Sequence, residues 1–130
     1  MEKRPMITIV DDDESMRDAT ASLIRAAGFA PHAYPCADDF LKSGDVHETD
    51  FLIADVHMPG MSGLELYGTL RKAGNAIPTI LITAYPDDKV RERALAAGVI
   101  CYLTKPFNAS ELLACIEAAL QLGDTRREKS

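Results

Sequence analysis

The chain has 130 residues, of which 47% are apolar and 26% charged, and its formal net charge is −6 at pH 7. This length and composition are typical of one globular domain with its own core. The negative charge argues against a nucleic-acid-binding face and against binding to anionic membranes, and no apolar run approaches bilayer-spanning length. The first residues have no signal-peptide core, so we expect a cytoplasmic protein.

The cysteines agree with a reducing compartment. Cys36, Cys101 and Cys115 are odd in number and widely spaced, and they lack the paired spacing of a metal site. Cys101 and Cys115 lie among apolar residues, which predicts ordinary core positions for both.

Strand-like and helix-like segments alternate five times along the chain. Short apolar runs rich in β-branched residues predict strands at 6–10, 30–34, 51–54, 78–82 and 99–103. Apolar residues then recur at helical spacing, and we expect four helices to end at Gly28, Gly74, Gly98 and Gly123. Asn108, followed by Glu111 three residues later, predicts a capping box at the start of the last helix. We expect a single domain over 1–130. Its core would cover about 5–122, and 123–130 would be a polar tail or the start of a linker.

This alternation predicts an α/β fold, a doubly wound parallel sheet with helices on both faces. The first, third and fourth strands are the most continuously apolar and should be central. Pro31 in the second strand cannot donate a ladder hydrogen bond, so that strand should lie at an edge. Strand order 2-1-3-4-5 satisfies both conditions.

Polar side chains follow four of the strands where each one ends. Asp11 and Asp12 come after the first strand and Asp55 after the third, while Thr83 and Lys105 come after the fourth and fifth. Neighbouring strands are about 5 Å apart, so these side chains can converge at one edge of the sheet. That edge is where ligands bind in sheets of this type.

Three carboxylates at this edge favour a bound cation. Two like charges about 5 Å apart repel by roughly 3 kcal/mol at an effective dielectric near 20. Hard oxygen ligands with room for water favour Mg²⁺. The simpler interpretation is that Asp11 and Asp12 only cap a helix and that Asp55 only opens a turn. The arrival of Lys105 and Thr83 at the same edge argues against it.

A metal-anchored carboxylate is a candidate nucleophile toward phosphorus. Phosphoryl transfer mainly requires positioning and neutralisation of the phosphoryl oxygens. Mg²⁺ can hold one oxygen, Lys105 a second, and the Thr83 hydroxyl can donate to a third. Asp13 and Glu14, in contrast, are expected only to cap the first helix.

Four short motifs, each at a predicted strand end, resemble one known family: Ile9-Val10-Asp11-Asp12, Asp55-Val56-His57-Met58-Pro59-Gly60-Met61-Ser62-Gly63, Ile82-Thr83-Ala84 and Tyr102-Leu103-Thr104-Lys105-Pro106-Phe107. Over residues 5–122 the sequence resembles the receiver domain of two-component response regulators. The resemblance implies a signalling domain of a phosphorelay, rather than a conventional enzyme. Such a domain accepts a phosphoryl group from a sensor histidine kinase or phosphotransfer protein, and it catalyses its own Mg²⁺-dependent phosphotransfer and dephosphorylation.

The resemblance also implies individual roles for the site residues. Asp55 would be the phospho-acceptor. Asp12 and Asp55 would ligate Mg²⁺ directly, together with the backbone carbonyl of His57, and Asp11 would act largely through metal-bound water. Lys105 would contact the phosphoryl group, and the peptide bond that follows it would be cis.

Thr83 and Tyr102 would form the switch. Phosphorylation would draw Thr83 inward, and Tyr102 would turn into the space that is vacated. The output surface would comprise the fourth helix, the fifth strand and the fifth helix.

The side chains of His57 and Tyr85 would overhang the phosphoryl group and set its lifetime, with bulky Tyr85 slowing the access of water.

Two other readings are open to the same sequence. Asp11 to Ser15 resembles the start of a haloacid-dehalogenase-like phosphatase, with Asp11 as nucleophile and Asp13 as acid. A flavodoxin-like flavin binder would share the strand order, but an acidic first turn repels phosphate.

Two further expectations follow only from the receiver resemblance. The domain would act on a C-terminal DNA-binding effector domain that is absent from this chain. It would also form a homodimer that is linked to phosphorylation.

Overall fold

The computed structural model describes the backbone of residues 4–129 and the side chains of residues 4–120. The strands are β1 (Met6–Val10), β2 (Ala30–Tyr34), β3 (Phe51–Asp55), β4 (Thr79–Thr83) and β5 (Cys101–Thr104). The helices are α1 (Glu14–Ala26), α2 (Ala37–Lys42), α3 (Gly63–Lys72), α4 (Asp88–Ala97) and α5 (Ala109–Lys129), and a 3₁₀ turn covers Asp45–His47. Within this described part of the chain, no helix combines the length and hydropathy that crossing a bilayer requires.

The five strands form one parallel sheet in the order β2-β1-β3-β4-β5, which confirms the predicted fold class. Every residue of β3 and β4 is buried, as expected for central strands. Pro31 lies in β2 at one edge, where its missing N–H breaks no ladder. Asp55 and Thr83 are the last residues of their strands, one position further into the sheet than the apolar runs predicted.

Successive strand residues point to opposite faces, so the sheet has two apolar layers. On one face, residues such as Leu52 and Leu81 pack against Phe40 of α2 and Leu66 of α3. On the other face, the strand isoleucines pack against α1 and α5; they are Ile7, Ile9, Ile53, Ile80 and Ile82. Helices therefore cover both faces, as the alternating sequence predicts.

Polar side chains define where four helices begin. Asp13 caps α1, and its carboxylate accepts a hydrogen bond from the Met16 N–H at 3.2 Å, as predicted for this residue. Asn108 and Glu111 form the predicted reciprocal pair at α5, where the Glu111 N–H donates to Asn108 Oδ1 at 2.8 Å. Ser62 forms a capping box at the start of α3, and the Asp87 side chain accepts hydrogen bonds from two N–H groups at the start of α4.

The predicted end of the last helix at Gly123 was wrong, because α5 continues to Lys129. A single glycine inside a helix costs only about 1 kcal/mol relative to alanine. The residues on both sides of Gly123 include several good helix formers, so the helix propagates through it. Residues 124–129 are therefore helical rather than a loose tail; Ser130 lies outside the described residues.

Candidate functional site

An ammonium group bridges two carboxylates at the carboxyl edge of the sheet. Lys105 Nζ lies 3.1 Å from Asp11 Oδ2 and 2.9 Å from Asp55 Oδ2. The side chains are 11%, 0% and 8% exposed, respectively. Residues that are 50 or 94 positions apart in sequence meet here because β1, β3 and β5 all end at this edge.

The backbone fixes the second oxygen of each carboxylate. The Asp13 N–H donates to Asp11 Oδ1 at 3.0 Å, and the His57 N–H donates to Asp55 Oδ1 at 3.0 Å. Arg17 donates from Nη1 to the carbonyl oxygen of Asp11 at 2.8 Å, which ties α1 to the end of β1. Both carboxylates are thus held in one orientation before any ligand arrives, an arrangement that limits reorganisation on binding.

The amino end of α3 packs directly against the Asp55 backbone. A β-carbon added to Gly63 would lie 2.5 Å from the carbonyl oxygen of Asp55, so no larger residue fits without movement. The Gly63 N–H donates to the Val56 carbonyl at 3.2 Å, and a Ser62–Glu65 capping box holds the helix start in place. Sequence analysis missed this supporting role; the Ser-Gly-x-Glu pattern at 62–65 was the available signal.

Burial sets the electrostatics of the site. Burial raises the pKa of Asp11, and the nearby Asp55 charge adds to this, while hydrogen bonds from the Asp13 N–H and Lys105 act in the opposite direction. Burial alone would lower the pKa of Lys105, but its hydrogen bonds to Asp55 and Asp11 outweigh it, and the net shift is upward. Lys105 therefore remains positively charged at neutral pH.

The donor set fits a hard divalent cation. Asp11, Asp12 and Asp55 each offer one carboxylate oxygen, and these oxygens lie within 4.8 Å of one another. Three carboxylates beside one ammonium leave two formal negative charges, which a divalent ion would neutralise. Asp12 is exposed, so the group is open to solvent and can keep bound water, as Mg²⁺ prefers.

An open cavity of about 260 Å³ lies over these carboxylates. Its lining residues are Asp12, Asp13, Asp55, His57, Ala84, Tyr85 and Lys105. Asp11 is fully buried and is not among the lining residues. Asp55 is therefore the lysine-bonded carboxylate that a small incoming group can reach.

Two aromatic rings stand beside this cavity. The rings of His57 and Tyr85 meet edge to face, with centroids 5.6 Å apart and planes at 82°. Tyr85 is 72% exposed, so most of its side chain is in contact with solvent beside the opening. Both residues line the cavity that contains Asp55.

The two expected switch residues lie apart from the cavity lining. Thr83 is fully buried, and its Oγ1 accepts a hydrogen bond from the Tyr85 N–H at 2.9 Å. Tyr102 is already partly buried, and its hydroxyl accepts a hydrogen bond from the Asp87 N–H at 3.4 Å. In this state Tyr102 contacts the start of α4 rather than the carboxylates.

The peptide bond between Lys105 and Pro106 is cis, as the resemblance to receiver domains implied. Of the predicted site residues, the structure groups Asp11, Asp12, Asp55 and Lys105, with His57 at the rim.

The strand order and the carboxylate–lysine edge together define an α/β domain of the receiver class. Comparison with known proteins agrees: the family model for the response regulator receiver domain matches residues 7–117. The chain belongs to the family of response regulator receiver domains, the signalling domains of two-component systems. Phosphorylation on an aspartate and a requirement for Mg²⁺ are general in this family.

Individual relatives support the same family. The response regulator protein TodT of Pseudomonas putida is 36% identical over 129 residues, which are 99% of this chain and 57% of TodT. The DNA-binding transcriptional regulator NtrC of Proteus hauseri is 35% identical over 114 residues, which are 88% of this chain and 24% of NtrC. The solved structure of the response regulator StyR matches with a TM-score of 0.88 at 40% identity, covering 98% of this chain and 64% of StyR. The chain thus spans little more than half the length of TodT.

Proposed function

We propose that Asp55 accepts a phosphoryl group from a sensor histidine kinase or a phosphotransfer protein. The observation that carries this proposal is the difference between the two lysine-bonded carboxylates. Asp55 lines the open cavity, whereas Asp11 is fully buried beside it. Lys105 lies 2.9 Å from Asp55 and is placed to meet the charge that arrives with the phosphoryl group.

The transfer itself exchanges one bond to phosphorus for another. A carboxylate oxygen of Asp55 bonds to phosphorus while the bond from phosphorus to the donor's histidine nitrogen breaks, and the electron pair stays on that nitrogen. The Lys105 ammonium neutralises a phosphoryl oxygen, and the His57 N–H holds the Asp55 side chain in orientation.

Magnesium is the cofactor we propose for this site. Asp12 and Asp55 would ligate it directly with the backbone carbonyl of His57, and Asp11 would act through bound water. When bound, the ion neutralises charge on the phosphoryl oxygens. The oxygen donors and the two uncompensated negative charges of the group support this assignment.

We further propose that the domain catalyses its own dephosphorylation, by attack of water on the phosphorus of phosphorylated Asp55. Water must reach the phosphoryl group through the cavity that His57 and Tyr85 border. The exposed Tyr85 ring would restrict this access and lengthen the lifetime of the phosphorylated state.

The switch would operate through Thr83 and Tyr102. The Thr83 oxygen accepts a backbone hydrogen bond, so its own O–H is available to donate to a phosphoryl oxygen. A charge-assisted hydrogen bond contributes about 1.5–3 kcal/mol. This amount shifts a two-state population by roughly one to two decades. Tyr102 would follow Thr83 and alter the surface formed by α4, β5 and α5.

We propose the output of the domain from the name of one relative. Because the relative NtrC is named as a DNA-binding transcriptional regulator, we propose a C-terminal effector domain that binds DNA, while this domain binds none itself. The acidic charge of −6 supports that division of roles. A cytoplasmic location and a phosphorylation-linked homodimer complete the proposal.

The geometry does not favour the phosphatase alternative. Asp11 is fully buried and does not line the open cavity, whereas Asp55 does. Asp13, which would be the acid in that mechanism, caps α1 through its side chain. Asp11 therefore lacks the access to substrate that a nucleophile needs.

Intact-mass spectrometry after incubation with acetyl phosphate tests the proposal. The wild type should gain one phosphoryl group only with Mg²⁺, and Asp55→Asn should gain none. Asp38→Asn is a matched control, because Asp38 is 69% exposed and pairs with Lys42 away from the site. Labelling that persists in Asp55→Asn would move the acceptor to Asp11 or another residue, and no labelling of the wild type would refute self-catalysed transfer.

A further inference from the structure

One side chain of α1 reaches back to the turn that carries the first acidic residues. Arg17 Nη1 donates to the carbonyl oxygen of Asp11 at 2.8 Å, across six positions of sequence. Arg17 is half-buried, and its guanidinium stays charged at every ordinary pH. The bond is therefore charge-assisted and stronger than a hydrogen bond between two neutral groups.

This bond holds one of the two peptide planes that flank Asp12. The carbonyl group of Asp11 and the N–H of Asp12 lie in a single rigid plane. The next plane contains the Asp13 N–H, which donates to Asp11 Oδ1 at 3.0 Å. With both planes held, the backbone dihedral angles of Asp12 are set, and with them the direction in which its side chain leaves the backbone.

Asp12 depends on its backbone for this direction. Its side chain is exposed, and within residues 4–120 no hydrogen bond or ion pair holds its carboxylate. Asp11 and Asp55, in contrast, each have both carboxylate oxygens hydrogen-bonded. Asp12 is therefore the carboxylate of this group whose position relies on the turn, and so on Arg17.

We propose that Arg17 is a positioning residue for the divalent cation. It holds the Asp12 carboxylate beside those of Asp11 and Asp55, and so raises the affinity of the site for Mg²⁺. One oxygen from each of the three already lies within 4.8 Å of the others, so the ion need not draw Asp12 inward before it binds. The inference rests on the proposed Mg²⁺ site and adds a residue that the cavity lining does not include.

The charge of Arg17 acts in the opposite direction. A guanidinium near three carboxylates repels a divalent cation, so removal of the charge alone would strengthen Mg²⁺ binding. Loss of the hydrogen bond would weaken it. Because Arg17 donates to a carbonyl group and makes no ion pair with any described carboxylate, we expect the hydrogen bond to dominate. The sign of the change in affinity thus separates the two roles.

Calorimetric titration of the whole chain with MgCl₂ tests the proposal. Arg17→Gln removes the charge and ends in a shorter side chain, so its amide falls short of the Asp11 carbonyl. Its dissociation constant for Mg²⁺ should rise about tenfold, at the lower end of the range for groups that orient a metal ligand. Arg25→Gln is the matched control, because Arg25 is exposed in the last turn of the same helix and the same charge is lost. This control should leave the affinity nearly unchanged.

A second measurement separates positioning from a general loss of structure. Labelling of Arg17→Gln by acetyl phosphate should need about tenfold more Mg²⁺ to reach half of its maximal rate. The rate at saturating Mg²⁺ should stay close to that of the wild type, because the bound ion itself then holds Asp12. A lower saturating rate with an unchanged requirement for Mg²⁺ would overturn the proposal.

Urea unfolding in EDTA shows whether the variant is folded. If Arg17→Gln lacks a cooperative transition, Arg17→Met carries both measurements, because its apolar stem can pack in the same half-buried position. Unchanged or tighter Mg²⁺ binding in the folded variant would overturn the role of Arg17 and leave the Mg²⁺ site itself standing. A wild type that binds no Mg²⁺ would instead refute the site, and the role of Arg17 with it.

Discussion

The backbone of Gly63, at the start of α3, lies directly against the backbone of Asp55. A β-carbon on Gly63 would lie 2.5 Å from the Asp55 carbonyl oxygen and 3.0 Å from its carbonyl carbon. Both obstructing atoms belong to the backbone of the last residue of β3, so they cannot turn aside as a flexible side chain would. The glycine thus determines how closely α3 approaches the proposed phospho-acceptor.

Replacing Gly63 by alanine should therefore destabilise the domain and displace Asp55. Overpacking of this kind costs about 1–3 kcal/mol. Urea unfolding should report this loss, and the rate of labelling by acetyl phosphate should fall with it. Unchanged stability and labelling would show that α3 can shift freely.

Gly68→Ala in the same helix is the matched control. No atom lies within 4 Å of a β-carbon added there, and the backbone is helical. Alanine should therefore gain up to about 1 kcal/mol from helix propensity. If Gly63→Ala lowers the stability and Gly68→Ala raises it, the loss at Gly63 is due to its contact with Asp55.

Asp11→Asn should stabilise the domain at neutral pH when EDTA removes divalent ions. Burial raises the pKa of Asp11 above its ordinary value of 3.8, so the folded state holds this proton more tightly than the unfolded chain. The contribution of Asp11 to stability is full below pH 3.8 and is lost as the pH rises through the raised pKa. Asparagine does not ionise and avoids this loss.

Unfolding free energies from pH 3 to pH 8 measure the effect. The increase in unfolding free energy caused by Asp11→Asn should become smaller as the pH falls. Mg²⁺ should also reduce this increase, because it should stabilise the wild type more than the variant. Asp18→Asn on the exposed side of α1 removes the same charge without burial and should change stability little. A gain that is constant with pH would contradict the role of Asp11 ionisation.

Thr83→Ala should still accept a phosphoryl group but lose the coupling to Tyr102. Fluorotyrosine incorporation provides the measurement, because the chain has only four tyrosines. The Tyr102 resonance, assigned with Tyr102→Phe, should shift on phosphorylation in the wild type and stay in place in Thr83→Ala. Thr83→Ser retains the hydroxyl and should retain the shift; a shift that survives in Thr83→Ala refutes this switch.

Tyr85→Ala should shorten the lifetime of the phosphorylated state severalfold. Its ring lies against His57 at the cavity and is 72% exposed, so removing it should open a path for water. Decay of the labelled species after removal of acetyl phosphate, followed by intact mass, gives the rate. Leu95→Ala removes another exposed apolar side chain, from the far half of α4, and should leave the rate unchanged. Slower decay in Tyr85→Ala would reverse the proposed role.

Much of the fold could be predicted because the apolar runs in the sequence coincide with the strands of the sheet. Continuous apolar runs rich in β-branched residues predicted the strands, and Pro31 predicted one edge of the sheet. The end of α5 could not be predicted in this way, because a glycine cap signal is weak against the propensity of its neighbours. The candidate cluster of Asp11, Asp55 and Lys105 was predictable because parallel strands bring their carboxyl ends together.

By itself, the sequence determined the strand order and the set of charged residues at one edge. The order follows from the continuous apolar runs and from Pro31, and the charged set follows from the residues at the strand ends. Only the tertiary structure decided that Asp11 is buried while Asp55 faces the cavity, since accessibility depends on how loops and helices pack over the sheet. The same holds for the close approach of Gly63 to the Asp55 backbone. How closely a helix approaches a strand depends on the packing of the whole layer, which no local pattern encodes.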